Sequence, residues 1–357
     1  VTRTATPSRT PTATATPTAT NTPTATLDPV PCGTPTAVVT TNDTGAYTSL
    51  AMVDGLPAIA FYERTGGDLL YVRQTDGLSA SWGSPVTVDA DGDVGLYASL
   101  VVVDGRPAIA YYDRTGRDLM YVRATDAQGT AWDDAVTVIA RGDSGSFVSL
   151  AVVAGRPAMS YYDYSSGDLV YVRAADAAGT AWDTPVTVAS SWNVGLYTSL
   201  AVVDGRPAIA YYDASDGDLE YVRALDGQGL FWDAPATVDS AGDVGLHASM
   251  AVIDGRPAIA YFDLTNKDLK YVSASNAQGT AWAAPVTVDS DGSVGVECSL
   301  ALVAGNPAIS YYDADNEVLK YVRAVDPAGV IWGVRIIVDA SAAVGNYSSL
   351  AVVFDEP

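Results

Sequence analysis

The chain is governed by a period of 50 residues. Ser49, Ser99, Ser149, Ser199, Ser249 and Ser299 each open a near-copy of "SLAVVDGRPAIAYYD" (199–213), and Ser349 opens a seventh, shorter one. Pro35, Pro85, Pro185, Pro235 and Pro285 keep the same register without gaps. A unit of this length cannot bury its apolar face alone, so the repeats must stack on one another.

One unit, 99–148, carries four strand signals in order. "SLVVVDG" is an apolar, β-branched run that ends in a turn at Asp104-Gly105, and "RPAIAYYD" follows with Pro107 at its start, where a missing N–H is tolerated. "DLMYVRA" mixes apolar and polar residues, and "AVTVI" leads into the loop "ARGDSGSF". Four short strands without a helical pattern form an antiparallel meander. Copies of such a meander bury both faces when they close around an axis, so the spacing predicts an all-β propeller of four-stranded blades.

Six complete blades are expected at about 49–90, 99–140, 149–190, 199–240, 249–290 and 299–340. "PTAVV" (35–39) aligns with the fourth strand and "SSLAVV" (348–353) with the first, which predicts a partial seventh blade built from both ends. The alternative is a six-bladed ring with extra terminal strands. Because the first and fourth strands of a blade are not neighbours, the seventh would expose unpaired edges. Either the natural chain continues past Pro357, or a neighbouring molecule supplies strands by self-association.

Residues 1–30 are almost wholly Thr, Pro and Ala and have nothing to bury, so a disordered stalk or linker is expected ahead of a propeller at 31–357. Its threonines suit O-linked sugar, which favours an extracellular or cell-surface setting of bacterial type. Nineteen Lys plus Arg against 42 Asp plus Glu give a net charge of −23, which excludes nucleic acid and bare anionic membrane as partners. No apolar run is long enough to span a bilayer. With only Cys32 and Cys298 this is no disulfide scaffold; Cys298 replaces a small strand residue and is expected as a buried thiol, with pairing to Cys32 left open.

Between the third and fourth strands lies "TDAQGTAW" (125–132), echoed at 175–182, 275–282 and 325–332. It resembles the Asp-box, the bacterial neuraminidase repeat, with Thr125, Gly129 and Trp132 on the motif, Asp126 one place early and Ala131 in place of Thr. The resemblance implies a sialidase-type propeller, in which the box is a fold element remote from the active site. It implies architecture and not sialidase activity.

In such a ring the first and third loops of a blade emerge on one face, and the second loop and the blade-to-blade loop on the other. The first turn is nearly constant; the second varies from "RTGR" (114–117) to "YSSG" (164–167) and "LTNK" (264–267), so specificity is expected on that variable face. There, Asp89, Asp91 and Asp93 alternate as in the oxygen-rich start of a calcium loop, and Ca²⁺ is the one cofactor considered; the other repeats keep only parts of the pattern, which favours Asp and Gly serving an ordinary turn. Asp113, Asp163, Asp213 and Asp263 each face a second acid five residues on, as a glycosidase pair would, but their repetition favours turn capping.

One position breaks the symmetry. Tyr47, Tyr97, Phe147, Tyr197, His247, Glu297 and Tyr347 occupy it in turn, and a His beside a carboxylate is an acid–base pair. Arg73, Arg123, Arg173, Arg223 and Arg323 are spread one per blade and form no sialidase triad; pairing with nearby acids is expected. The sequence therefore favours a non-enzymatic binding module for glycan or protein, with Tyr97, Tyr197, His247, Glu297 and the four aspartates as contacts. A self-assembling surface subunit is the alternative, and a glycan-cleaving hydrolase using His247 and Glu297 the second alternative.

Overall fold

A computed structural model describes residues 34–77, 81–341 and 344–352; the Thr/Pro tract and Cys32 lie outside the described residues. The described chain is all β, in six antiparallel sheets of four strands arranged as the blades of a propeller. In blade one, β1 (Thr44–Val53), β2 (Leu56–Glu63), β3 (Asp68–Arg73) and β4 (Val86–Asp89) pair in chain order. The pattern recurs every 50 residues to β21 (Val294–Val303), β22 (Asn306–Asp313), β23 (Val318–Arg323) and β24 (Ile336–Asp339) in blade six. Successive inner strands pack side by side, which sets them around a common axis.

Each inner hairpin turns on two residues in the left-handed region, such as Asp104 (φ 47°) and Gly105 (φ 73°). Two-residue turns of this hand match the twist of the flanking strands. The core lies between blades: Val53, Leu69 and Tyr71 of blade one pack with Leu100, Ile109 and Tyr111 of blade two. The third-to-fourth-strand hairpins of blades two to six pack on the preceding blade; in blade two the turn is fixed by Asp126, which accepts from the backbone N–H groups of Gln128, Thr130 and Ala131 and from the Thr130 hydroxyl. Trp132 then stands edge-on to Tyr71 at 5.1 Å, and the Tyr71 hydroxyl donates to the Gln128 carbonyl at 3.0 Å. This is the place in the blade, between the third and fourth strands, that the Asp-box resemblance implies.

The hairpin leaves no room at its glycine. A Cβ on Gly179 (φ 80°) would stand 2.4 Å from Cε1 of Tyr121. Gly179→Ala is expected to cost about 2–4 kcal/mol, from a left-handed alanine plus overpacking, and urea unfolding measures it.

The expected partial seventh blade is corrected. Among the described residues neither 35–39 nor 348–352 is a strand, and neither has a neighbouring strand to pair with; Val353 lies outside the described residues. The C-terminal segment nevertheless continues the inner ladder, in which each Leu N–H is taken by the Ser hydroxyl of the preceding repeat. Leu100 N–H donates to Ser49, Leu350 N–H to Ser299, and Leu50 N–H to Ser349 at 3.0 Å, which links the last repeat to the first. Beside this segment, among the described residues, Leu319, Tyr321, Ile336 and Val338 line an apolar groove of about 490 Å³, whereas Leu269 and Tyr271 one blade earlier are buried.

The inner strands also begin five residues earlier than expected, at 44, 94, 144, 194, 244 and 294. A bulge explains it. Leu96 pairs with Tyr112 and Ser99 with Ala110, so two residues, 97 and 98, oppose one.

The hairpin carboxylates also set an acid limit. Hydrogen bonds from Thr130 and neighbouring backbone N–H groups outweigh desolvation and hold Asp126 down to about 2; Asp176 and Asp226 are lowered in the same way, and the strand-end acids Asp239 and Asp313 by Lys270 and Lys320. Groups with a lowered native pKa lend stability above the ordinary carboxylate range and lose it as pH falls through the native value. Burial raises Asp68, Asp118, Asp218 and Asp268, which protonate first and relieve their own cost. Stability should therefore hold down to about pH 4 and then fall steeply towards pH 2, as thermal unfolding against pH would record.

Candidate functional site

The bulge aims one side chain per repeat at the axis. Tyr47, Tyr97, Phe147, Tyr197, His247, Glu297 and Tyr347 all have φ between 50° and 60°. Seven non-glycine residues in this region cost on the order of 1–3 kcal/mol each and persist only where the surroundings fix them. They form a collar: ring centroids lie 4.7 Å apart for Tyr47 and Tyr97, 4.5 Å for Phe147 and Tyr197, 4.4 Å for Tyr197 and His247, and 4.5 Å for Tyr347 and Tyr47. The collar sits on the face that carries the variable loops, since the second turn and the blade-to-blade loop meet there through Arg114 N–H to the Asp93 carbonyl.

The cavity at the mouth has a volume of about 180 Å³ and is lined by the collar and the residue after each member. Those following residues brace it: Cys298 donates its thiol to the His247 carbonyl at 3.1 Å, and Ser348 its hydroxyl to the Glu297 carbonyl at 2.7 Å. Cys298 is a free, buried thiol, and burial pushes its pKa well up, so it acts as a brace and not as a nucleophile.

The two symmetry-breaking residues meet. His247 Nδ1 stands 3.5 Å from Glu297 Oε1, with the side chains 12% and 30% exposed. This is ion-pair range for a protonated imidazole, yet His247 Nδ1 is buried without a hydrogen-bond partner. Burial and the nearby Glu297 charge push Tyr197, its other neighbour, up to about 12. The rim changes beside the pair as well. Tyr62, Tyr112 and Tyr212 donate their hydroxyls to Asp93, Asp143 and Asp243, whereas the corresponding residues next to His247 are Phe262 and Ser293.

Other expected residues are engaged elsewhere. Asp113 accepts from Thr115 and Gly116 N–H, and Asp163 and Asp213 accept from Ser165 and Ser215 N–H, so these carboxylates cap the second turn. Asp263 accepts from Asn266 and lies 3.5 Å from Lys270 Nζ. Asp89 takes the Tyr111 hydroxyl, and Asp93 takes the Tyr62 hydroxyl and Arg114 at 2.6 Å, while Asp91 donates its N–H to Asp89. The calcium donor set does not fit: Asp89 and Asp93 turn to different protein donors, and among the described residues no three acids, His or Cys come together to hold a metal. Arg73, Arg123 and Arg223 lie on the opposite face, where their guanidiniums meet Asp54, Asp104 and Asp204.

Trp192 stands where four other repeats have Gly92, Gly142, Gly242 and Gly292.

No protein-family model and no curated protein sequence matches the chain. Among solved structures it is similar to the NanB sialidase of Streptococcus pneumoniae, with a TM-score of 0.57 and 10% identity over 85% of this chain and 70% of that one. A Hadza microbial sialidase gives a TM-score of 0.51 and 14% identity over 75% of this chain and 63% of that one. An exo-β-1,3-galactanase of Phanerochaete chrysosporium is a more distant likeness, with a TM-score of 0.45 and 9% identity over 78% of this chain and 76% of that one. Among the described residues no helix is long and apolar enough to cross a membrane. The expectation of a protein without enzymatic activity is corrected by the two sialidases: proteins of this fold are named as enzymes, so the fold gives no ground for excluding one, and repetition of the capping aspartates says nothing about the pair at His247 and Glu297. What the chain shares with the sialidases at these identities is the propeller fold.

Proposed function

We infer that the chain is a glycoside hydrolase that admits the end of a glycan to the mouth of its central channel. The observation that carries the reading is the broken collar: of its seven members five are Tyr or Phe, and the two exceptions are a His and a Glu on adjacent blades 3.5 Å apart. Packing alone gives no reason to put the chain's only His and a carboxylate, both with left-handed backbone, in neighbouring places. The names of the neighbouring sialidases support the reaction class, which is carried to this chain as part of the inference.

In this reading His247 donates a proton to the departing glycosidic oxygen as its bond to the anomeric carbon breaks. Glu297 takes a proton from the water that bonds to that carbon and returns it to His247, so the pair ends as it began. General acid–base catalysis of this kind contributes about 10²–10⁴-fold. Two carboxylates flanking the sugar at about 5–9.5 Å are the commoner arrangement, and this pair is not one of those; it works from one side. The tyrosine faces supply apolar contact to the sugar ring.

Sialic acid suits this mouth poorly. No arginine lines the cavity, and a net charge of −23 repels a carboxylated sugar. Incubation of the purified chain with neutral and sialylated oligosaccharides, read by release of reducing ends, is expected to show cleavage of a neutral glycan. Absence of cleavage across both sets overturns the reading.

A further inference from the structure

The cavity of about 180 Å³ is smaller than the roughly 300 Å³ at which ordinary ligand pockets begin. It holds the end of a chain, and the rest of a longer substrate must lie over the rim. The rim is not uniform.

Blades three and four carry two side chains that no other repeat has. Trp192, in the loop between them, is 85% exposed, and Tyr164, in the second turn of blade three, is 51% exposed. The corresponding second-turn residues are Arg64, Arg114, Ala214, Leu264 and Ala314. Trp192 also has φ 63°. A Cβ at the corresponding glycines would stand 2.7 Å from the Thr115 hydroxyl at Gly92 and 2.7 Å from the Thr265 hydroxyl at Gly242, so this backbone position favours glycine on two counts. The fold therefore accepts strain and crowding there and gains no buried surface for it, the reverse of what stability alone would select.

The two aromatics belong to one patch. Asn193, beside Trp192, accepts the Tyr162 hydroxyl, and the Tyr162 ring packs edge-on to Tyr164 at 4.7 Å. Tyr162 holds the place from which Tyr112 and Tyr212 of the adjoining blades lie 6.4 Å from the collar rings of Tyr97 and Tyr197, which sets the patch beside the mouth. Serine hydroxyls surround it: Ser165, Ser166 and Ser191 precede or follow the aromatics, and Ser215 donates to the Trp192 carbonyl.

We propose that Trp192 and Tyr164 form an accessory subsite on which a neutral, β-linked oligosaccharide stacks as it runs from the channel mouth. Flat pyranose faces present C–H groups to aromatic rings, and the hydroxyl and amide groups around the patch match sugar hydroxyls. Acids in the flanking turns, Asp163, Asp213 and Asp216 among them, disfavour anionic sugars. The subsite rests on the hydrolase reading for its purpose but not for its existence, because binding is measured without turnover.

The test uses the full chain with cellohexaose, xylohexaose and laminarihexaose as probes, sialyllactose as the anionic control, and calorimetry together with tryptophan fluorescence. At least one neutral hexaose binds the wild type, and Trp192→Gly weakens it about tenfold, the equivalent of about 1.4 kcal/mol for one lost stacking contact. Trp192→Gly restores the residue used by the other repeats, so its melting temperature stays level or rises; a marked fall means that Trp192 is structural and overturns the proposal. So does failure of all three neutral hexaoses to bind, or unchanged affinity in Trp192→Gly. Hexaose binding that is lost in Trp192→Gly, without any cleavage by the wild type, keeps the subsite and removes the hydrolase. Cleavage with affinity unaffected by Trp192→Gly does the opposite.

Discussion

Replacing Lys270 by Met is expected to destabilise the propeller by about 3–5 kcal/mol, the cost of leaving buried charge without its partner. Lys270 Nζ lies 2.7 Å from Asp239 of the preceding blade and 3.5 Å from Asp263 of its own, and the two carboxylates are 5% and 1% exposed. The Tyr261 hydroxyl also donates to Asp239 at 2.6 Å. Lys320 repeats the arrangement one blade on, 2.6 Å from Asp313 and 3.5 Å from Asp289. With the ammonium gone, Asp239 keeps only the tyrosine and a backbone N–H, and Asp263 keeps Asn266.

The remedy is written elsewhere in the ring. The last residue of each blade faces the middle of the next blade's third strand, and these positions read Asp239 with Lys270, Asp289 with Lys320, but Ile139 with Val170. Val170 is buried, with Ile139 packed against its cluster. The double variant D239I/K270V copies that apolar interface, and replacing an ion pair by matched apolar residues is often neutral. It should recover the share of the loss that falls on Asp239, while Asp263 keeps only Asn266 as in the single variant, as urea unfolding of the three proteins would show. A double variant as unstable as Lys270→Met would refute the matched-interface account.

These pairs illustrate what the chain discloses before it folds. The period of 50 and the four strand signals are enough for blade order, because each signal is local: a β-branched run, a Pro at a strand start, an Asp-Gly turn. The Lys270 to Asp239 contact joins two repeats, and it becomes visible only once neighbouring blades are set face to face. The start of the inner strand was misplaced for another reason. A left-handed Tyr97 inside a strand runs against its own preference, and only the packing of seven such residues around an axis makes the bulge tolerable. Trp192 at a glycine position was open to view by aligning the repeats, since the signal is substitution against the local rule. The closing blade is not legible at all: "PTAVV" has strand composition, yet a strand exists only with a neighbour to bond.

Glu297→Gln is expected to lower kcat by about 10²–10⁴-fold on whichever neutral glycan the parent cleaves, with KM for that glycan changed little. The amide keeps the shape and the half-exposed position of the carboxylate but removes the charge 3.5 Å from His247 Nδ1. It can neither take a proton from water nor return one. His247→Asn removes the other half of the pair, and if the two act as a unit the double variant should be no slower than the worse single one, since losses within one proton-transfer unit do not add. Backbone strain provides the control. Both residues occupy the left-handed region, which Asn tolerates better than most side chains, so His247→Asn should melt at or above the parent temperature and its loss of rate cannot be laid to unfolding. Additive losses in the double variant would instead mean that His247 and Glu297 serve separate steps, and full activity in Glu297→Gln would remove the collar from the chemistry altogether.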